Sequence, residues 1–186
     1  EYILVFKNRG RYAGSITGHL YSQLMAMPVI PKKVQDEIDE AFKHYSEKKR
    51  CIYCDMLDNE LLLKERVIWE TRHFIVIAPF ASQSCFETMI MPKEHAAHFM
   101  DISQEQTIDL AETMKRAIGA INKALNRPSY NYMLHTAPVK TGQLGHYHWH
   151  IEIVPRVKEV SGFETGSGFS INPVLPEDAA AYLRGL

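Results

Sequence analysis

Nine histidines and three cysteines are the residues of this chain best suited to metal and phosphoryl chemistry, and they are unevenly spread. Within "GHYHWHIEIVPR", His146, His148 and His150 alternate, and Glu152 continues the rhythm. Tyr147, Trp149, Ile151 and Ile153 fill the other places, so the period of two predicts a strand with imidazoles and carboxylate on one face. An imidazole can ligate a metal or attack an electrophilic centre at neutral pH. Cys51 and Cys54 stand two residues apart, a spacing that brings both sulfurs to one ion. Four-coordinate zinc then needs two more ligands. "MPKEHAAHF" offers His95 and His98, and the histidine strand offers another. His44 and His73 read as ordinary surface or satisfied histidines, and Cys85, beside Phe86, as a small core residue.

The elements that must carry these residues are legible in outline. "YILVFKN" predicts a strand, "NRGRYAGS" a glycine-bearing turn, and "HLYSQLMAMPVI" a second extended run ending at its prolines. "PKKVQDEIDEAFKHYSEKK" predicts a helix with Val34, Ile38, Ala41, Phe42 and Tyr45 as its apolar stripe. After the cysteine pair, "RVIWE", "FIVIAP" and "ETMIMP" predict strands. Ser103 to Gln106 form a capping box opening a long helix, with Ile108, Ala111, Met114, Ile118, Ile121 and Leu125 expected inward. "YNYMLH" and the histidine strand follow, and "PEDAAAYLRGL" closes the chain as a short helix. The expected class is α+β, an antiparallel sheet with packed helices.

Composition narrows the function. At 186 residues and 46% hydrophobic, the chain can bury a substantial core. A net charge of −1 gives no basic footprint for nucleic acid. No run of about eighteen apolar residues is present, so no membrane partner is expected. No leader for secretion is visible, and an odd cysteine count with one C-x-x-C pair fits a reducing, cytoplasmic setting and a metal knuckle better than a disulfide framework. A faint internal echo links "HLYSQLMAMP" with "HWHIEIVP", as if one complete and one partial copy of a unit were present.

Taken together, "CIYC", "RVIWETRHFIVIAPFAS", "ETMIMPKEHAAHF", "YNYMLHTAP", "HWHIEIVP" and "GFETGSGFSINPVLPEDAA" resemble the histidine-triad superfamily, in the branch of galactose-1-phosphate uridylyltransferase and ADP-sugar phosphorylase-like proteins. The opening strands resemble the end of that family's other half. The resemblance therefore implies residues 1–46 as a remnant of a first half and 47–186 as a complete second half. It implies a histidine-triad-like fold, and either a homodimer or a missing N-terminal half as partner. It further implies transfer of a nucleoside monophosphate between a nucleotide sugar and a sugar 1-phosphate through a nucleotidyl-histidine. The alternatives are a dinucleotide hydrolase or phosphorylase, and a degenerate, metal-stabilised nucleotide-binding homologue.

Residue by residue, the resemblance places zinc on Cys51, Cys54, His95 and His148, and His150 at the nucleophile position. That frame is anchored on Pro155. A frame anchored on all three histidines makes His146 the ligand and His148 the nucleophile instead. In the first-half strand His19 and Gln23 match substrate-binding positions, but Tyr21 occupies the nucleophile position, where a phenol of pKa near 10 is a poor substitute. Glu152 stands where the family has a phosphate-binding glutamine. The family's second half also carries a further metal, iron or zinc, whose matching ligands here are Glu37, His135, His150 and Glu152. His150 thus has two implied roles, nucleophile and ligand, and it cannot fill both at once.

Overall fold

A computed structural model describes residues 1–16 and 18–186. Its centre is one seven-stranded antiparallel sheet in the order β2-β1-β6-β7-β5-β4-β3, formed by β1 (Tyr2–Arg9), β2 (Ser22–Met27), β3 (Val67–Glu70), β4 (Phe74–Ile77), β5 (Thr88–Pro92), β6 (Ser129–His135) and β7 (His150–Arg156). Helices α1 (Lys32–Lys48), α2 (Ile52–Leu63), α3 (Gln104–Ala124), α4 (Gly162–Ser167) and α5 (Pro176–Arg184) complete it. The α+β class is therefore observed. The two opening strands do not stand apart: β1 pairs with β6 from Val5↔Leu134 to Arg9↔Tyr130 and so extends the same sheet.

Alternation sorts the strand side chains between two helical layers. Phe74, Val76, Ile90, Ile151 and Ile153 meet α3 and α5, with Leu110, Ala117, Ile121, Ala180 and Leu183. Ile75, Ile77, Met89 and Met91 point the other way, towards Leu57 of α2. The run "FIVI" is buried on both faces, as a continuous apolar strand at the centre of a covered sheet should be. His150 and Glu152 alternate with Ile151 and Ile153, so they face the α1 and α2 side.

Several expectations need correction. The helix α2 was not anticipated, because its apolar residues are spread around the helix rather than along one stripe; the cysteine pair opens it instead of sitting in a free turn. The capping box of α3 forms as expected. Ile121 is buried and Met114, Ile118 and Leu125 pack against the core as expected, but Ile108 is 57% exposed and Ala111 is exposed too, and Leu110, Thr113, Ala117 and Ala120 complete the inward face. The stripe is rotated because α5 packs beside α3 and draws in its small residues, Ala117 and Ala120. Phe42 also lies outside the core, edge-on against His146. The histidine strand starts only at His150; His146 is in a turn, and the alternation before His150 continues through irregular chain.

Between β1 and the following turn, Gly10 adopts φ +82°. A Cβ there would lie 2.2 Å from Ser129 Oγ and 3.1 Å from the Ser129 Cα, so β6 leaves no room for a side chain. Gly10→Ala combines a left-handed backbone with that clash. It should cost about 2 kcal/mol, seen as a lower urea midpoint at unchanged slope. A midpoint equal to the parent's would refute this tight approach of β1 to β6.

Candidate metal centre

The geometry of the first cluster starts at a helix end. Helix α1 stops at Lys49, whose left-handed conformation (φ 58°) turns the chain, and Cys51 becomes the N-cap of α2. Both sulfurs thus sit at the positive end of a helix, which favours thiolate over thiol. His95 follows β5 and His148 precedes β7, and pairing of these strands from Thr88↔Ile153 to Ile90↔Ile151 brings the two histidines together. One ligand atom from each of Cys51, Cys54, His95 and His148 lies within 4.8 Å of the others. Cys54 Sγ is 3.3 Å from His95 Nδ1 and 3.6 Å from His148 Nδ1.

The outer hydrogen bonds fix the tautomers. His148 Nε2 donates to the Pro92 carbonyl at 3.0 Å, and His95 Nε2 donates to the Leu144 carbonyl at 3.2 Å. Each ring therefore keeps its Nδ1 lone pair turned inward, the arrangement in which a metal is bound with its second shell already made. The Cys51 thiol is pulled down chiefly by a hydrogen bond from Cys54. Cys54 is pushed up by that same bond, by burial and by the neighbouring thiolate charge. A dication at this point would favour the thiolate form of both sulfurs. An S2N2 set with inward lone pairs fits zinc. His98, the other candidate from "MPKEHAAHF", is buried elsewhere and bonds the Gly142 carbonyl at 3.2 Å. His146 is not in the cluster; its ring packs on Phe42 and Tyr45.

A second cluster lies one step along β7. Glu37, His135 and His150 bring ligand atoms within 4.8 Å of one another. His135 Nδ1 is 3.0 Å from Glu37 Oε2, and its Nε2 is 3.2 Å from Glu152 Oε2 but not aimed along a hydrogen bond, leaving that buried nitrogen without a well-directed partner. Burial alone would lower His135; Glu152 and Glu37 outweigh it and raise the imidazole to about 9. Glu152, which burial would raise, is held near 2 by His135 and Lys33. His150 goes the opposite way, to about 4, through burial and the charge on His135. In this arrangement the His135 imidazolium stands as the cation between two carboxylates. A metal there would need His135 deprotonated, and would find Glu37, His135 and His150 as an N2O set compatible with iron or zinc, with Glu152 outside that group.

His150 itself is 2% exposed. Its Nδ1 donates to the His148 carbonyl at 3.1 Å, and its ring stacks on His135 with centroids 4.6 Å apart and planes at 9°. A cavity of about 660 Å³ between α1, α2 and the β4–β5 connection reaches this cluster, but its wall there is Glu37 and Glu152, with Glu87 nearby, and not His150. The first-half residues lie elsewhere. His19 and Tyr21 precede β2 and Gln23 lies on it, and β2 is separated from β7 by β1 and β6, about 14 Å by strand spacing. His19 and Gln23 therefore do not share a pocket with His150 and Glu152. Lys33, 3.5 Å from Glu152, and Tyr147, whose hydroxyl donates to Glu37 at 3.3 Å, also belong to the second cluster. Sequence reasoning missed both, although Lys33 lies one helical turn before Glu37. Cys85 is buried away from both clusters, and His44 is bonded to Asp55 at 2.9 Å.

A covered antiparallel sheet with a cysteine knuckle and a histidine strand defines a histidine-triad-like fold. The structure superposes on a histidine-triad family protein from Mycobacterium smegmatis with a TM-score of 0.52 and 20% identity, over 73% of this chain and 91% of that one. Residues 37–185 match the galactose-1-phosphate uridyl transferase C-terminal domain, and the chain belongs to that family. It is 43% identical over 186 residues to the ADP-glucose phosphorylase of Arabidopsis thaliana, covering 99% of this chain and 52% of the relative. The crystal structure of an Arabidopsis thaliana ADP-glucose phosphorylase with bound ADP-glucose superposes with a TM-score of 0.91 at 41% identity, over 100% of this chain and 59% of that one. Identity to the galactose-1-phosphate uridylyltransferase of Thermotoga maritima is 33%, over 99% of this chain and 60% of the relative. The chain thus spans a little over half the length of these relatives. Among the described residues, no helix is long and apolar enough to cross a membrane.

Proposed function

We propose that this chain is the zinc-bearing half of a nucleotidyltransferase that moves a nucleoside monophosphate from a nucleotide sugar to a phosphate-bearing acceptor. Membership of the uridyl transferase C-terminal domain family over residues 37–185 carries this reading. Zinc is held by Cys51, Cys54, His95 and His148, where it cross-links α2 to the sheet. Residues 1–46 end a first half of the same kind and 47–186 form the second. In the transfer, a nucleophile attacks the α-phosphorus, the bond to the sugar 1-phosphate breaks, and that phosphate leaves with the bonding electrons; the acceptor then takes the nucleotide.

His150 is assigned to a second metal with Glu37, His135 and Glu152 rather than to attack on phosphorus. Its burial and stack on His135 support this, as does a neighbouring cavity that reaches Glu37 and Glu152 but not His150. On this reading the attacking group comes from the partnering half of the catalytic assembly. Tyr21 favours a second reading, a homologue that binds nucleotide sugar without turnover, since its phenol replaces the expected imidazole.

Incubation of the chain together with its partnering half and ADP-glucose or UDP-glucose, followed by intact-mass analysis and an assay for sugar 1-phosphate release, tests these assignments. Exchange into added sugar 1-phosphate or inorganic phosphate, with no nucleotide on His150, is the expected result. A nucleotidyl adduct on His150, lost in His150→Ala, would overturn the ligand assignment. Saturable nucleotide-sugar binding without any exchange would establish the second reading.

A further inference from the structure

The two clusters share one side chain. Tyr53 lies between the zinc-site cysteines, in the first turn of α2, and its ring packs on His150 with centroids 5.1 Å apart and planes at 32°. The same ring meets Tyr147 edge-on at 5.7 Å and His148 at 6.4 Å. Tyr53 also joins the apolar groups under α2 and beside α1, so it is wedged between elements rather than resting on one. His150 consequently carries one ring from β6 and another from the cysteine loop. Through their sulfurs, Cys54 meets His95 and His148, and Cys51 donates to the His146 carbonyl at 3.5 Å.

We propose that Tyr53 is a cover over His150, and that zinc at Cys51, Cys54, His95 and His148 is its latch. The inference rests on the zinc assignment above, but holds whether His150 binds a metal or attacks phosphorus. Without the ion, the first turn of α2 is held to the sheet by apolar packing and sulfur hydrogen bonds, and the Tyr53 plate lifts more readily. With the ion, four bonds pin the loop and the plate stays down. Zinc occupancy and access to His150 are then coupled, and the coupling is reciprocal: whatever enters at His150 weakens zinc.

Diethyl pyrocarbonate, which acylates unprotonated imidazole nitrogens, reads access to His150 directly when the modified residues are mapped by mass spectrometry. His98 is buried outside both clusters and serves as an internal gauge of general loosening. In protein carrying one zinc per chain at the cysteine site and no metal at His150, Tyr53→Ala should raise the modification rate of His150 at least tenfold while that zinc remains and His98 stays protected. Tyr53→Phe keeps the plate and should match the parent. Tyr53→Leu carries the same expectation as Tyr53→Ala and is used if the alanine variant does not fold. Chelation of the parent should give the same acceleration, and chelation of Tyr53→Ala should add nothing further.

Protection of His150 in both zinc-loaded variants would overturn the cover. Exposure by mutation but not by chelation would overturn the latch. Metal analysis of the untreated parent distinguishes the two levels of failure, because a parent that binds no zinc defeats the zinc assignment and the latch, whereas the mutational comparison still decides the cover.

Discussion

Cys51→Ser is expected to yield a chain that no longer retains zinc and melts on the order of 10 °C below the parent. An ion present at a thousand times its dissociation constant stabilises by about 4 kcal/mol, and a domain of this size loses about 2–4 °C per kcal/mol. The serine hydroxyl offers almost the same shape but no thiolate, so the loss reports the metal rather than packing. Two controls separate the causes. Cys85→Ser replaces a buried thiol outside the cluster and should keep its zinc. A chelator should lower the parent to the level of Cys51→Ser and leave Cys51→Ser where it is. Unchanged zinc content in Cys51→Ser would remove this cysteine from the site.

The second large effect concerns the charge held by His135. Its imidazole titrates near 9 in the folded chain because Glu152 and Glu37 flank it, against about 6.5 for an ordinary histidine. A raised folded pKa stabilises in full below 6.5 and is lost as pH climbs through 9. In metal-free protein, stability should therefore fall by up to about 3 kcal/mol between pH 6.5 and 9. His150 blurs only the lower edge of that window: its depressed value near 4 keeps it neutral in the folded chain, and in the unfolded chain it has lost its proton by about pH 7.5. Glu152, held near 2, contributes to the same pair and loses its share only on acidification. His135→Gln should be less stable than the parent by several kcal/mol at pH 6.5, because two carboxylates are left without their cation, and its stability should be nearly flat to pH 9. Urea midpoints in chelator at both pH values decide the matter. Loading the second metal should reverse the parent's slope, since binding requires His135 to give up its proton. A parent as flat as the mutant would mean that His135 carries no charge at neutral pH.

How far the sequence spoke depended on the range of the signal. Strict alternation and apolar runs are local, and they placed β4, β5 and β6 well. Spacing of the cysteine pair pointed to a metal, and the family resemblance supplied the two histidines that meet it in space. What stayed hidden was set by distant partners. The rotation of α3 follows from α5, which comes some fifty residues later, and periodicity within α3 cannot register it. Helix α2 has no single apolar stripe because it is covered partly by the sheet and partly by α1. The dual possibility at His150 survived the sequence for a similar reason: burial, not residue type, distinguishes a ligand from an exposed nucleophile, and its burial comes from Tyr53 and His135.

The sequence distances inside the zinc cluster carry a consequence for how the chain folds. Cys54 meets His95 across 41 residues and His148 across 94. Closing such loops has an entropic cost that must be met before the ligands converge, so the complete cage exists only once β5 and β7 are paired. An ion that finds its full coordination after the main barrier has been crossed has little influence on the speed of folding. It acts instead on the return path, because unfolding must first release four bonds. Zinc held at this site would thus be a determinant of lifetime: it would set how long the fold persists between openings.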